Sequence, residues 1–191
     1  MMKPATREAF GVTAGGNSVY LVGHSNGGGM ALEAARRRPD AFTGLATFMP
    51  YDGSEPPPVP DMSTTRLGRV MFVYTHDDPG MPAGYHEVLE RLPLAWAGAL
   101  GMSEATIANP SSVEVADAAL EGENYAGTAA AALATRNSRA VRHDRVEGAR
   151  KLRVFELDQA GHFLPHPDGE TIPTIIERWG FRNQDFSAAD A

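Results

Sequence analysis

Three short segments carry side chains that could do covalent chemistry together. Ser25 stands in Gly23-His24-Ser25-Asn26-Gly27, Asp78 in His76-Asp77-Asp78-Pro79, and His162 in Gly161-His162-Phe163. A serine hydroxyl is a poor nucleophile at neutral pH. It needs a base within hydrogen-bond reach, and that base needs an acceptor to orient it. Imidazole suits the base because its pKa lies near working pH. A carboxylate holds the ring in the productive tautomer and stabilises the imidazolium that forms. The three groups together spell nucleophilic attack on a carbonyl. They lie far apart in sequence, so the fold must bring them to one place.

The elements that would position them can be read nearby. Val19-Tyr20-Leu21-Val22 is a short apolar, β-prone run, the mark of a buried strand. The Gly-His-Ser-Asn-Gly segment follows at once, and Met30 to Ala35 is built of strong helix formers. Strand, G-x-S-x-G and helix in that order make a nucleophile elbow. Such a turn strains the serine backbone and crowds its neighbours, so collision is expected to require glycine at both 23 and 27. The helix N-terminus points its N–H groups at the place where negative charge develops, with the Asn26 N–H as the oxyanion donor.

Three more buried strands are expected, at residues 42–49, 69–75 and 151–157. A loop rich in proline spans 50–61. Residues 85–100 have a helical pattern interrupted at Pro93, and 172–179 a helix with Pro173 in its first turn. Arg36, Arg37 and Arg38 read as the positively charged last turn of the elbow helix. Strands separated by helical segments predict an α/β fold with a mostly parallel sheet of about four strands. Ser25, Asp78 and His162 each follow a strand, where such sheets keep their chemistry.

With GHSNGGGM at 23–30, HDDPGMP at 76–82 and AGHFLP at 160–165, the chain resembles the catalytic half of an α/β-hydrolase. It is most similar to the polyhydroxybutyrate depolymerase and feruloyl or acetylxylan esterase group. The resemblance spans roughly residues 18–180. It implies Ser25 as nucleophile, Asp78 as acid and His162 as base, in an enzyme that cleaves carboxylic esters through an acyl-enzyme. An amidase, thioesterase or acyltransferase would use the same residues. Asp77 and Asp158 are the rival acids; Asp78 is preferred because it precedes Pro79 in the D-P-x-x-P match. His24 is expected to pack under the elbow. Tyr51, Met81 and Phe163 are candidates for an acyl pocket, with core packing the plainer role.

Composition bounds the rest. The 191 residues suit one domain, 1–191, with a cap or insertion within 79–150. A net charge of −7 argues against nucleic acid or an anionic membrane as partner. There is no cysteine, hence no disulfide and no thiolate site. No apolar run approaches membrane-spanning length and no signal-peptide core is seen, so the cytoplasm is the default compartment. His76, His86 and His166 are imaginable metal ligands with Asp78. Pro165 breaks the helix that would align His162 with His166, so neither a metal nor a cofactor is expected.

The family fold places several strands and the second oxyanion donor ahead of the elbow strand, and here about 17 residues precede it. The expectation is therefore a partial fold that lacks its N-terminal strands. A second chain or self-association would cover the exposed edge of the elbow strand. A non-catalytic subunit or remnant with half an oxyanion hole is the rival outcome.

Overall fold

The computed structural model describes residues 19–157 apart from 54, 77, 79 and 116–139. Its elements in chain order are β1 (Tyr20–His24), α1 (Asn26–Arg37), a 3-10 turn (Pro39–Ala41), β2 (Gly44–Phe48) and β3 (Arg69–Thr75). Then come α2 (His86–Ala99), α3 (Glu104–Ala108), β4 (Ser111–Val115), β5 (Ala140–Glu147) and β6 (Arg150–Leu157). The expected helix at 172–179 lies outside the described residues.

The strands form one mixed sheet of six in the order β1-β2-β3-β6-β5-β4. This corrects the expected count of about four. β1, β2, β3 and β6 run parallel, while β5 and β4 are antiparallel additions beyond β6. The added hairpin hides in the sequence because its strands are heavily charged. Arg142, His143, Asp144 and Arg145 lie mid-strand in β5, and Arg142 and Arg145 are buried. Asp144 supplies the counter-charge for Arg142 and Arg153, while Arg145 is held by a backbone carbonyl. Asp144 takes Arg153 Nε at 2.7 Å and lies 3.2 Å from Arg142 Nε, and Arg145 Nε donates to the Ile107 carbonyl at 2.9 Å. Buried charge is tolerated where it is paired and hydrogen-bonded.

Both longer helices pack on one face of the sheet. Ala31, Leu32 and Ala35 of α1 and Leu89, Leu92 and Trp96 of α2 share a core with Leu45, Val70, Phe72 and Val154. The opposite face, carrying Ala46, Phe48, Met71, Val73 and Phe155, is buried too. Strands buried on both faces read as unbroken apolar runs, which is why β2 and β3 stand out in the sequence. Pro93 does not interrupt α2, which runs through it to Ala99 with the proline ring buried.

Candidate active site

Ser25 occupies the junction between β1 and α1, with φ 54° and ψ −126°. That is left-handed backbone, which a side-chain-bearing residue enters at a cost of about 1–3 kcal/mol unless its surroundings over-determine it. Here they do. The Ser25 N–H donates to the Phe48 carbonyl at 2.9 Å. The Ser25 carbonyl accepts from Gly29 N–H at 3.1 Å and Tyr51 N–H at 3.0 Å. The segment leaving β2 thus clamps the serine backbone from the side.

The glycines around it divide into two kinds. A Cβ on Gly23 would lie 2.1 Å from the Gly27 carbonyl oxygen, so β1 and the first turn of α1 meet only if residue 23 has no side chain. A Cβ on Gly29 would lie 2.0 Å from the Tyr51 carbonyl oxygen, and one on Gly28 would lie 2.9 Å from Pro50. Gly27 departs from expectation, because a Cβ there meets nothing within 4 Å. Collision is therefore the reason for Gly23 but not for Gly27. The glycines that let the chain from β2 approach are Gly28 and Gly29, which a G-x-S-x-G reading overlooks.

Asn26 is the first residue of α1, and its N–H is among those with no intrahelical acceptor. With the partial positive charge of the helix N-terminus, it can receive negative charge that develops beside Ser25.

Asp78 follows β3 by three residues. Its Oδ1 accepts the Gly80 N–H at 2.8 Å, and its carbonyl accepts from Met81 at 3.3 Å, so a tight turn orients the carboxyl. Beside it opens a small cavity of about 130 Å³, lined in part by Thr75, His76, Met81 and His86. β1, β2 and β3 are parallel neighbours, so Ser25 and Asp78 leave the same rim of the sheet, separated by the width of β2. Leu157 ends β6 opposite Thr75 at that same rim. Val115 and Ala140, the described residues on either side of 116–139, are paired there as well, and thus lie at the rim that carries Ser25 and Asp78. His162 lies outside the described residues, as do Asp77, Asp158, Phe163 and His166.

Other expected residues are accounted for. His24 ends β1, half-buried and in register with Phe48. Tyr51 and Met81 are partly buried and pack against the core. His76 Nε2 contacts Glu156 Oε1. His86 is exposed at the start of α2.

Sequence reasoning took Arg36 for a helix-end charge and missed its role. Its guanidinium is buried and paired with Asp52 through two contacts, Nη1 to Oδ1 at 3.0 Å and Nη2 to Oδ2. The Asp52 N–H donates to the Tyr85 hydroxyl at 2.7 Å, and that hydroxyl donates to the Pro50 carbonyl at 3.2 Å. Burial raises the Tyr85 pKa, so the hydroxyl keeps the proton it donates. This network pins residues 50–52, the same segment that clamps Ser25. The only signal in sequence was an aspartate two residues past a proline, too common to single out.

A second serine–histidine–carboxylate chain is present in the added hairpin. Ser112 Oγ lies 2.8 Å from His143 Nδ1, and His143 Nε2 lies 3.3 Å from Glu156 Oε2. Ser112 and His143 are direct cross-strand partners, so sheet register alone brings them together. Ser112 sits in an extended strand with neither backbone strain nor a helix N-terminus behind it. Those are what distinguish Ser25.

No protein-family model, curated protein or solved structure matches the chain.

Proposed function

We propose that the protein is a serine hydrolase that cleaves carboxylic esters, built as a partial α/β-hydrolase fold. The observation that carries this reading is the backbone of Ser25. It is a non-glycine residue at φ 54° between a parallel strand and a helix, with no room for a Cβ at Gly23. Strained backbone of this kind survives where the strain serves a function, and here it lifts a hydroxyl off the end of a sheet.

In this reading the Ser25 oxygen attacks the ester carbonyl as His162 takes its proton. The Asn26 N–H receives the charge on the carbonyl oxygen. Collapse of the tetrahedral intermediate breaks the C–O bond, and His162 returns the proton to the departing alcohol. Water, deprotonated by the same imidazole, then releases the acid and regenerates the serine. Asp78 orients the ring. The parallel order of β1, β2, β3 and β6 supports these assignments, since β6 ends next to β3 and leads into the segment that holds His162. The substrate is a small or polymeric ester. No helix among the described residues is long and apolar enough to cross a membrane, and this reading puts the enzyme in the cytoplasm.

The full fold places further strands and a second oxyanion donor beyond its elbow strand, and in this reading another strand pairs along the β1 edge. Loss of one such donor costs on the order of 10²–10³ in rate, so turnover is expected to depend on that strand being in place.

The test is turnover of p-nitrophenyl acetate and labelling by a fluorophosphonate. Ser25→Ala should lose at least about 10³-fold in kcat and all labelling, with an unchanged circular dichroism spectrum. Undiminished turnover or labelling in the variant overturns the assignment. Wild-type chain that neither labels nor turns over favours the non-catalytic reading.

A further inference from the structure

The rim opposite Ser25 holds a second cavity, of about 270 Å³. Its walls come from the amino ends of the parallel strands: Tyr20 of β1, Thr43 before β2, Arg69 of β3 and Arg150 of β6, with Arg66 from the preceding loop. β3 alone spans seven residues, which puts roughly 20 Å between this cavity and the Ser25 rim. It is not part of the hydrolase site, and the inference does not depend on that reading.

Three arginines line this one cavity in a protein whose net charge is −7. Among the described residues none of the three has a carboxylate within ion-pair distance. The Arg150 guanidinium is fixed by backbone instead. Its Nη1 donates to the Leu67 carbonyl at 2.6 Å, and its Nη2 reaches the Ser63 carbonyl. Arg69 Nη1 lies 3.4 Å from the Tyr20 hydroxyl. That reach is possible because Tyr20, Gly44 and Arg69 lie in register across three strands, and the middle residue has no side chain. Asp40, which is exposed, takes the Arg66 backbone N–H at 3.2 Å.

Like charges gathered in a cleft repel one another and concentrate anions from solution. Guanidinium forks match the oxygens of a phosphoryl group in geometry as well as in charge. A neutral substrate or an apolar peptide would leave those forks unmatched. The cavity is also far larger than the roughly 30 Å³ share of one water.

We propose that this amino-rim cavity binds a phosphoryl group, free or carried on a small organic molecule, between Arg66, Arg69 and Arg150. The carbonyls hold Arg150 in place, and Tyr20 aligns Arg69.

The test is calorimetric titration of the full chain with inorganic phosphate and with phenyl phosphate, at matched ionic strength in chloride. Saturable 1:1 binding of at least one is expected. Arg69→Gln and Arg66→Gln should each weaken it at least tenfold, with no change in circular dichroism. Arg150→Gln also releases two carbonyls, so the other two variants carry the test. Tighter binding of phenyl phosphate assigns an organic phosphate, and equal affinity assigns free phosphate; either supports the proposal. No saturable binding of either anion overturns it. So does unchanged affinity in both variants, which would place the anion elsewhere.

Discussion

At the scale of single residues, the elbow rests on a division of labour among glycines. Gly23 is required by contact, because any side chain there would strike the Gly27 carbonyl. Gly23→Ala is expected to cost about 3 kcal/mol or more, since both opposing groups are backbone and neither can swing away. Gly27→Ala should go the other way. Its Cβ site is open and the residue sits in the first turn of a helix, so alanine should add up to about 1 kcal/mol of stability. Thermal or denaturant melts of the two variants check this. Equal losses in both would mean that the elbow is packed differently. The serine, its strand and its helix were legible because a tight strand-to-helix turn leaves an apolar run, small residues and helix formers in a fixed order. The reason for each glycine was not legible, since a contact such as Gly29 with Tyr51 depends on where a segment 22 residues further on returns.

At the scale of elements, the segment after β2 is the buttress of the site. Phe48 at the end of β2 accepts the Ser25 N–H, and the segment beyond it returns the Tyr51 N–H to the Ser25 carbonyl and is itself held by Arg36 and Tyr85. The Arg36 and Asp52 side chains are 5% and 6% exposed, so removing Arg36 strands a buried carboxylate, and removing Asp52 leaves Arg36 only a 3.6 Å contact with the half-exposed Glu33. Arg36→Ala and Asp52→Ala should each cost about 3–5 kcal/mol. The double variant Arg36→Met with Asp52→Leu should lose much less than the sum, because no charge is then left unpaired. Urea denaturation of the three proteins measures the difference, and additive losses would show that the pair is not coupled. The parallel strands were legible from apolar runs that declare burial on two faces. The β4–β5 hairpin was not, because Arg142, Asp144 and Arg145 look solvated until the Arg142–Asp144 pair within β5, Arg153 on β6 and the Ile107 carbonyl on α3 are known.

At the scale of the whole molecule, the question is what lies beyond β1, the outermost strand of the described sheet. The bonds at its two ends fix which way each residue faces. The Val19 carbonyl accepts from Thr43 and the Ser25 N–H donates to Phe48, so odd-numbered residues turn their backbone groups toward β2. By alternation, Val22 turns its N–H and carbonyl away from β2, and its side chain is 41% exposed. An apolar, outward-facing strand edge is a template for another strand. If a second chain or copy completes the sheet there, the Val22 amide reports it. In dilute protein its hydrogen should exchange far faster than those of Leu21 and Gly23, which face β2. Raising the concentration, or adding the completing chain, should slow Val22 while leaving its neighbours unchanged. If the chain is the proposed hydrolase, esterase turnover should rise in parallel, because in that fold the strand closing this edge belongs to the part that supplies the second oxyanion donor. A Val22 amide already slow in a dilute monomer would mean that the edge is closed within the chain, and the need for a partner would fall with it.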